Sequence, residues 1–232
     1  MIIPWPFSPL VLRPALWLDA SDASTLYSGA SLAAADGAIS EWRDKSGNAR
    51  HATQATGVSQ PLRKTALKNG RDVVRFDGAN DFMQNSVPSL GTTACTIIRV
   101  AKSTRNDGVE ICVGPNSTKN SMGVSRHTTG ETKGYVYGSV QTLSSITSNF
   151  SLASLVLTAA DVKFYYNGGS AITSAVTGVS LGVGFTVGAL RDNLFGVCMA
   201  GDSAEILVFP TALSDAERLA VENYLNAKWA IY

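Results

Sequence analysis

Between residue 15 and about residue 209, short runs of β-branched and aromatic side chains alternate with clusters of Gly, Asn, Ser and Asp. Runs of this kind suit a pleated, half-buried surface, and the clusters supply the turns between them. The richest runs are Val73 to Phe76, Cys95 to Ala101, Val109 to Val113, Tyr135 to Tyr137, Leu155 to Leu157, Val162 to Tyr166, Phe185 to Val187 and Ala204 to Phe209. After Val162–Tyr166 comes Asn167-Gly168, a dipeptide that tolerates the positive φ angles of a tight hairpin, so the next strand is expected near Ala171. The 21 glycines follow no fixed period, which excludes a repeat array or a collagen-like tract. The pattern predicts an all-β fold, an antiparallel two-sheet sandwich.

The chain has 232 residues, a length that all-β sandwiches reach as one domain. Apolar residues make up 45% and charged residues 16%, enough to bury a core and too apolar for global disorder. The 19 Lys and Arg nearly cancel the 18 Asp and Glu and are scattered, so nucleic acid is not an expected partner. No apolar run is long enough to enter a bilayer as a helix, and the proline-broken start, with Pro4, Pro6 and Pro9, does not read as an export signal. Cys95, Cys112 and Cys198 lack the spacing of a zinc site and lie in apolar stretches, as buried free thiols do.

The two ends differ from the middle. Residues 1–14 form a Pro- and aromatic-rich arm for which an extended, polyproline-like path is expected. Trp5 and Phe7 lie in it, outside the sandwich of residues 15–232, and read as a docking element for a neighbouring subunit. At the other end, Ser214-Asp215-Ala216-Glu217 is a capping box that opens a helix over 214–228. Leu219, Ala220, Tyr224, Leu225 and Trp229 recur at helical spacing, predicting the stripe that seals the sandwich.

Three segments carry a family resemblance: Leu16-Trp17-Leu18-Asp19-Ala20-Ser21-Asp22, Trp42-Arg43-Asp44-Lys45-Ser46-Gly47-Asn48 with His51-Ala52, and Val74-Arg75-Phe76-Asp77-Gly78-Ala79-Asn80-Asp81-Phe82. Together with the strand and helix after Ala204, they resemble the concanavalin A-like, laminin-G-like jelly-roll domains found in bacteriophage structural proteins and bacterial surface proteins. The resemblance implies a sandwich of twelve or so strands with a C-terminal helix. It also implies a non-enzymatic virion component, in capsid decoration or tail, held to other virion proteins by the arm and able to form homo-oligomers. The alternative setting is the bacterial cell surface, and the alternative role a module that recognises a surface glycan.

Candidate chemistry is sparse. Glycosidases of this fold family carry acids alternately along one strand, so that period two aims both at the substrate. Here Glu41 with Asp44 has the wrong spacing, and Glu110 and Glu205 stand alone. His51 and His127 are the two histidines, and no Gly-x-Ser-x-Gly elbow accompanies them. The expectation is therefore that the chain catalyses nothing, with a glycosidase as the remote alternative. No cofactor is required. The loop Asp77-Gly78-Ala79-Asn80-Asp81 is the candidate for calcium, through Asp77, Asn80 and Asp81, with Asp19, Asp22, Asp44 and Asn48 as residues that the fold could bring near. The competing reading makes these turn residues bonded to their own backbone. For sugar binding, Tyr135, Tyr137 and Arg191 are eligible by composition.

Overall fold

The computed structural model describes residues 7–86, 90, 93–104, 108–114, 121–126, 131–136, 139–144, 149–190 and 197–232. Among them are eighteen strands and one α-helix. In chain order the strands are β1 (Leu16–Asp19), β2 (Leu26–Ser28), β3 (Ser31–Leu32), β4 (Glu41–Trp42), β5 (Ala52–Thr53), β6 (Leu62–Lys68), β7 (Arg71–Asp77), β8 (Met83–Asn85) and β9 (Cys95–Ser103). There follow β10 (Val109–Val113), β11 (Met122–Arg126), β12 (Thr132–Val136), β13 (Ser139–Ser144), β14 (Ser151–Leu157), β15 (Asp161–Tyr166), β16 (Ile172–Ala175), β17 (Phe185–Val187) and β18 (Ala200–Phe209). The helix α1 is Asp215–Trp229.

Two antiparallel sheets result, as the strand pattern predicts. One has eight strands in the order β16-β15-β14-β9-β18-β7-β6, with β1 also paired to β18. The other has ten, in the order β13-β12-β11-β10-β17-β8-β5-β4-β2-β3. The count exceeds the expected dozen partly because the β2–β5 rim of the second sheet is cut into pieces of two or three residues. Leu16, Leu18, Ile97, Leu155, Phe164 and Ile206 from the first sheet meet Trp42, Met83, Ile111, Val124 and Phe185 from the second in one buried core. Strand alternation then leaves Trp17, Ile98, Val100, Leu152, Leu207 and Phe209 on the outer face of the eight-stranded sheet, where they form a second apolar layer with Val221, Leu225 and Trp229 of α1.

Local signals explain several details. Asn167 and Gly168 have φ of 46° and 71°, the left-handed pair that an Asn-Gly hairpin turn demands, and β16 opens at Ile172. Ser214 caps α1, with its hydroxyl accepting from the Glu217 N–H and the Glu217 carboxylate accepting from the Ser214 N–H. The stripe on α1 differs from the expected one: Leu219 is exposed, while Arg218 and Glu222 are buried against the sheet. Those two charges form an ion pair of 2.7 Å, and Ser154 Oγ donates to Glu222 at 2.7 Å, so the sheet-facing side is partly polar. The arm also departs from an extended path. Pro9–Leu12 form a 3-10 turn capped by Ser8, for which proline's fixed φ at the first position is suited. Phe7 packs edge-on against Tyr224 of α1, with ring centroids 6.1 Å apart. All three cysteines are buried, and none forms a disulfide among the described residues.

Candidate functional site

The Trp42–Asn48 motif folds into a loop that fastens the start of β1. The Asp44 carboxylate accepts from the backbone N–H groups of Trp17 (2.9 Å), Ser46 (2.8 Å) and Arg50 (3.0 Å) and from Ser46 Oγ (2.7 Å). His51 Nδ1 accepts from the Asp44 N–H at 3.1 Å. Asp44 and Asn48 are thus loop-building residues, and they do not converge on the 77–81 loop. In that loop Asp77 Oδ1 accepts from the N–H groups of Ala79, Asn80 and Asp81, and Asp81 Oδ2 accepts from the Asp77 N–H. These are the self-bonded turn residues of the competing reading. Among the described residues no group of three or more His, Cys, Asp or Glu is placed to hold a metal ion.

The acidic pair that was sought along one strand is found across two. Asp19 of β1 and Glu205 of β18 are direct cross-strand partners on the outer face of the eight-stranded sheet. A register shift between Ser203 and Glu205 accompanies this placement. Like charges directly opposite repel, and Lys228 of α1 reaches between them, 2.7 Å from each. Glu205 also accepts from both indoles, Trp17 Nε1 and Trp229 Nε1, each at 2.7 Å. Asp19 accepts from Ser21 and from Lys45, the latter at 2.9 Å. Burial, then the Asp19 charge, push the Glu205 carboxyl above its ordinary range. For Asp19 burial acts upward, but the Lys228 ammonium and the bonds from Lys228, Ser21 and Lys45 outweigh it and hold the carboxyl below its ordinary range.

Two carboxyls with separated proton affinities are the electrostatic signature of an acid–base pair. Here, however, Glu205 is wholly buried and Asp19 nearly so, and every carboxylate oxygen already accepts from a protein donor. The cluster fastens β1, β18 and α1 to one another. A second buried ion pair, Arg99–Glu110 at 2.6 Å, ties the two sheets together inside the sandwich, with Arg99 Nη1 donating to the Ser151 carbonyl and hydroxyl.

The outward face of the ten-stranded sheet has a different character. Successive registers line up Leu32, Tyr27, Glu41, Thr53, Gln84, Thr186, Cys112, Gly123 and Tyr135 in one row across nine strands. Their strand neighbours Leu26, Trp42, Ala52, Met83, Phe185 and Ile111 lie in the core, so the row faces outward. Thr53 and Gln84 are exposed, and Glu41 and Tyr27 half-buried. The Arg43 guanidinium stacks 3.5 Å from the Tyr27 ring centroid and pairs with Glu41 at 2.5 Å. The band thus presents an amide, a hydroxyl, a carboxylate and a cation-capped ring at steps of about 4.8 Å, the distance between neighbouring strands.

Tyr135 closes the row differently from an exposed sugar platform. Its hydroxyl is buried, and it lies where a side chain on Gly123 would stand, 2.6 Å from that glycine's ideal Cβ. Burial, then the neighbouring Cys112, hold its phenol well above the ordinary range. Tyr137, Arg191, His127 and Trp5 lie outside the described residues.

No family model matches the sequence, and no curated protein matches it. Solved structures do match the fold. A GH54 α-L-arabinofuranosidase superposes with a TM-score of 0.68 at 15% identity, over 96% of this chain and 66% of that one. An arabinofuranosidase complexed with arabinofuranosyl-α-1,2-xylobiose gives 0.61 at 16% identity, over 93% and 59%. A Trypanosoma rangeli sialidase gives 0.65 at 12% identity, over 99% and 35%. The chain therefore spans less than two thirds of the length of each. At such identities the likeness is one of fold. It nevertheless corrects the expectation, drawn from the fold, that such a chain catalyses nothing, because solved structures that share its sandwich include arabinofuranosidases and sialidases, which are enzymes. The virion role implied by the resemblance gains no support from these matches.

Proposed function

We propose that this chain is a carbohydrate-recognising β-sandwich that contacts glycans through the outward band of its ten-stranded sheet. The observation that carries the reading is the register that aligns Tyr27, Glu41, Thr53 and Gln84 on one open face. Sugar hydroxyls both donate and accept, so they need mixed partners. Gln84 supplies both in one amide, Glu41 accepts, and Thr53 accepts through a hydroxyl whose own proton goes to the Gln84 backbone carbonyl at 3.3 Å. Tyr27 adds an apolar ring for the C–H face of a sugar. The occurrence of this fold in arabinofuranosidase and sialidase chains supports a sugar as the ligand class.

A glycan array with the full chain, including arabinoxylan and sialylated oligosaccharides, tests the reading, and release of reducing sugar is assayed on every binder. Gln84→Ala and Thr53→Ala change exposed side chains, so their melting temperatures are expected to stay within about 2 °C of the parent. Each is expected to weaken binding by about five- to tenfold, since a lost hydrogen bond in a bound complex amounts to about 1–1.5 kcal/mol. Binding that ignores both substitutions, or no binding to any glycan, would remove the proposal.

A further inference from the structure

The β4–β5 hairpin that contributes Glu41 and Thr53 to the band also builds a cleft at its connecting loop. This open cleft of about 390 Å³ is walled by Arg13, Ser46, Asn48 and Arg50, with Leu10 and Pro210 as its apolar side. Among the described residues no carboxylate lines it. Its frame is held by hydrogen bonds: Asn48 Nδ2 donates to the Pro14 carbonyl at 3.1 Å, and Arg50 Nη1 donates to the Ala15 carbonyl at 3.0 Å. Arg13 caps the 3-10 turn in the left-handed region at φ 51°, with its N–H donating to the Leu10 carbonyl at 3.0 Å. Such a conformation is uncommon for a residue with a side chain and fixes where the Arg13 stem leaves the backbone.

The charges are left unbalanced at this place. Of the eight arginines whose side chains are described, Arg43, Arg63, Arg75, Arg99 and Arg218 are paired with carboxylates. Arg13, Arg50 and Arg71 form no ion pair among the described residues, and two of these three stand in one cleft. Arg50 uses Nη1 for its anchor. That leaves its Nε–Nη2 edge, the pair of parallel donors that grips a carboxylate in bidentate fashion.

We infer that this cleft takes the carboxylate of an acidic saccharide, an assignment that rests on the glycan recognition proposed above. Arg50 supplies the bidentate contact, Arg13 the second positive charge, and Leu10 with Pro210 the apolar surface for the sugar ring. The cleft and the band share one hairpin, and the reading assigns acidic residues of a glycan to the cleft and neutral residues to the sheet.

Calorimetric titration of the full chain at low ionic strength, with trigalacturonate, 3′-sialyllactose, lactose and citrate as probes, tests this. At least one acidic saccharide is expected to bind tenfold or more tightly than lactose, and to weaken as salt is raised toward 0.3 M, where charge attraction is screened. Arg13→Gln, whose side chain makes no polar contact among the described residues, and Arg50→Gln are each expected to remove that preference with the fold intact by circular dichroism. The inference is overturned if acidic and neutral probes bind alike, if no acidic saccharide binds, or if both arginine substitutions leave the preference unchanged. Acidic-saccharide binding that is lost in Gln84→Ala but indifferent to both arginine substitutions overturns the cleft alone and leaves the proposed function standing. Citrate binding with no saccharide bound overturns both the acidic-saccharide assignment and the proposed function.

Discussion

Asp81 is 5% exposed and lies beside the Asp77 carboxylate, with one oxygen accepting from the Asp77 N–H. Burial, then the Asp77 charge, push its carboxyl up to about 6. Because this value lies above that of the unfolded chain, the native state takes up the proton first as pH falls. The contribution of Asp81 to stability is therefore fully present below about pH 4 and is lost as pH rises through 6. Asp81→Asn keeps an oxygen for the Asp77 N–H and removes the buried charge. It is expected to stabilise the protein by about 1–2 kcal/mol at pH 7.5, at 1.36 kcal/mol per pKa unit reduced for partial solvation, and to have no effect near pH 4. Thermal melts of both proteins across pH 4–8 check this, and a difference that is flat with pH would refute it. A calcium ion held by Asp77, Asn80 and Asp81 reverses the sign: the substitution then destabilises the protein in millimolar calcium. Melts with calcium and with a chelator thus test the sequence expectation at the same residue. The turn chemistry of this loop was readable from Asp77-Gly78 and Asn80-Asp81 because it is local.

At the scale of elements, α1 shows what local reading reaches and where it stops. Its capping box is complete within four residues, so Ser214 and Glu217 could be assigned without a fold. Its buried face could not, because Arg218 and Glu222 are held by groups on other strands. The Arg218 guanidinium stacks 3.7 Å from the Tyr165 ring centroid, and Ser154 donates to Glu222, yet neither neighbour is visible in the helical repeat. Glu222 has no exposed surface, so removing its partner leaves an uncompensated charge under the helix. Arg218→Ala is expected to cost about 3–5 kcal/mol in chemical denaturation, whereas Arg218→Met with Glu222→Leu is expected to recover most of that loss. If the double substitution is as unstable as the single one, the pair contributes more than mutual neutralisation and this account of the interface fails. The Asp19–Glu205 pair escaped sequence reading for the same reason. Period-two spacing finds acids along one strand, but only the register of β1 on β18 sets these two, from opposite ends of the chain, side by side.

For the whole molecule, the strand runs and the closing helix were legible because hydrophobic alternation and caps are written in contiguous residues. The polar band was not, since it exists only when β2, β4, β5 and β8 fall into register, and parity within one strand says nothing about which strands become neighbours. That register also makes a prediction about cooperativity. Cys95 lies in β9 of the eight-stranded sheet, Cys112 in β10 of the ten-stranded sheet, and Cys198 bridges to Val109 at the start of β10; all three are buried. Burial pushes the Cys95 thiol up to about 12, so in the native state it is neither accessible nor ionised enough to react. The two sheets share one core, in which Cys95 lies, and are tied by Arg99–Glu110 within it, so exposing the Cys95 thiol requires parting the sheets. Cys95 is therefore expected to label with a thiol reagent at a rate giving an opening free energy equal to the global value from denaturant unfolding. Mass spectrometry of peptides after timed labelling resolves the three sites. An opening free energy at Cys95 below the global value would mean that the ten-stranded sheet, which carries the band, parts from its partner without global unfolding. Recognition would then be performed by a separately mobile layer and not by a face held rigid by the whole sandwich.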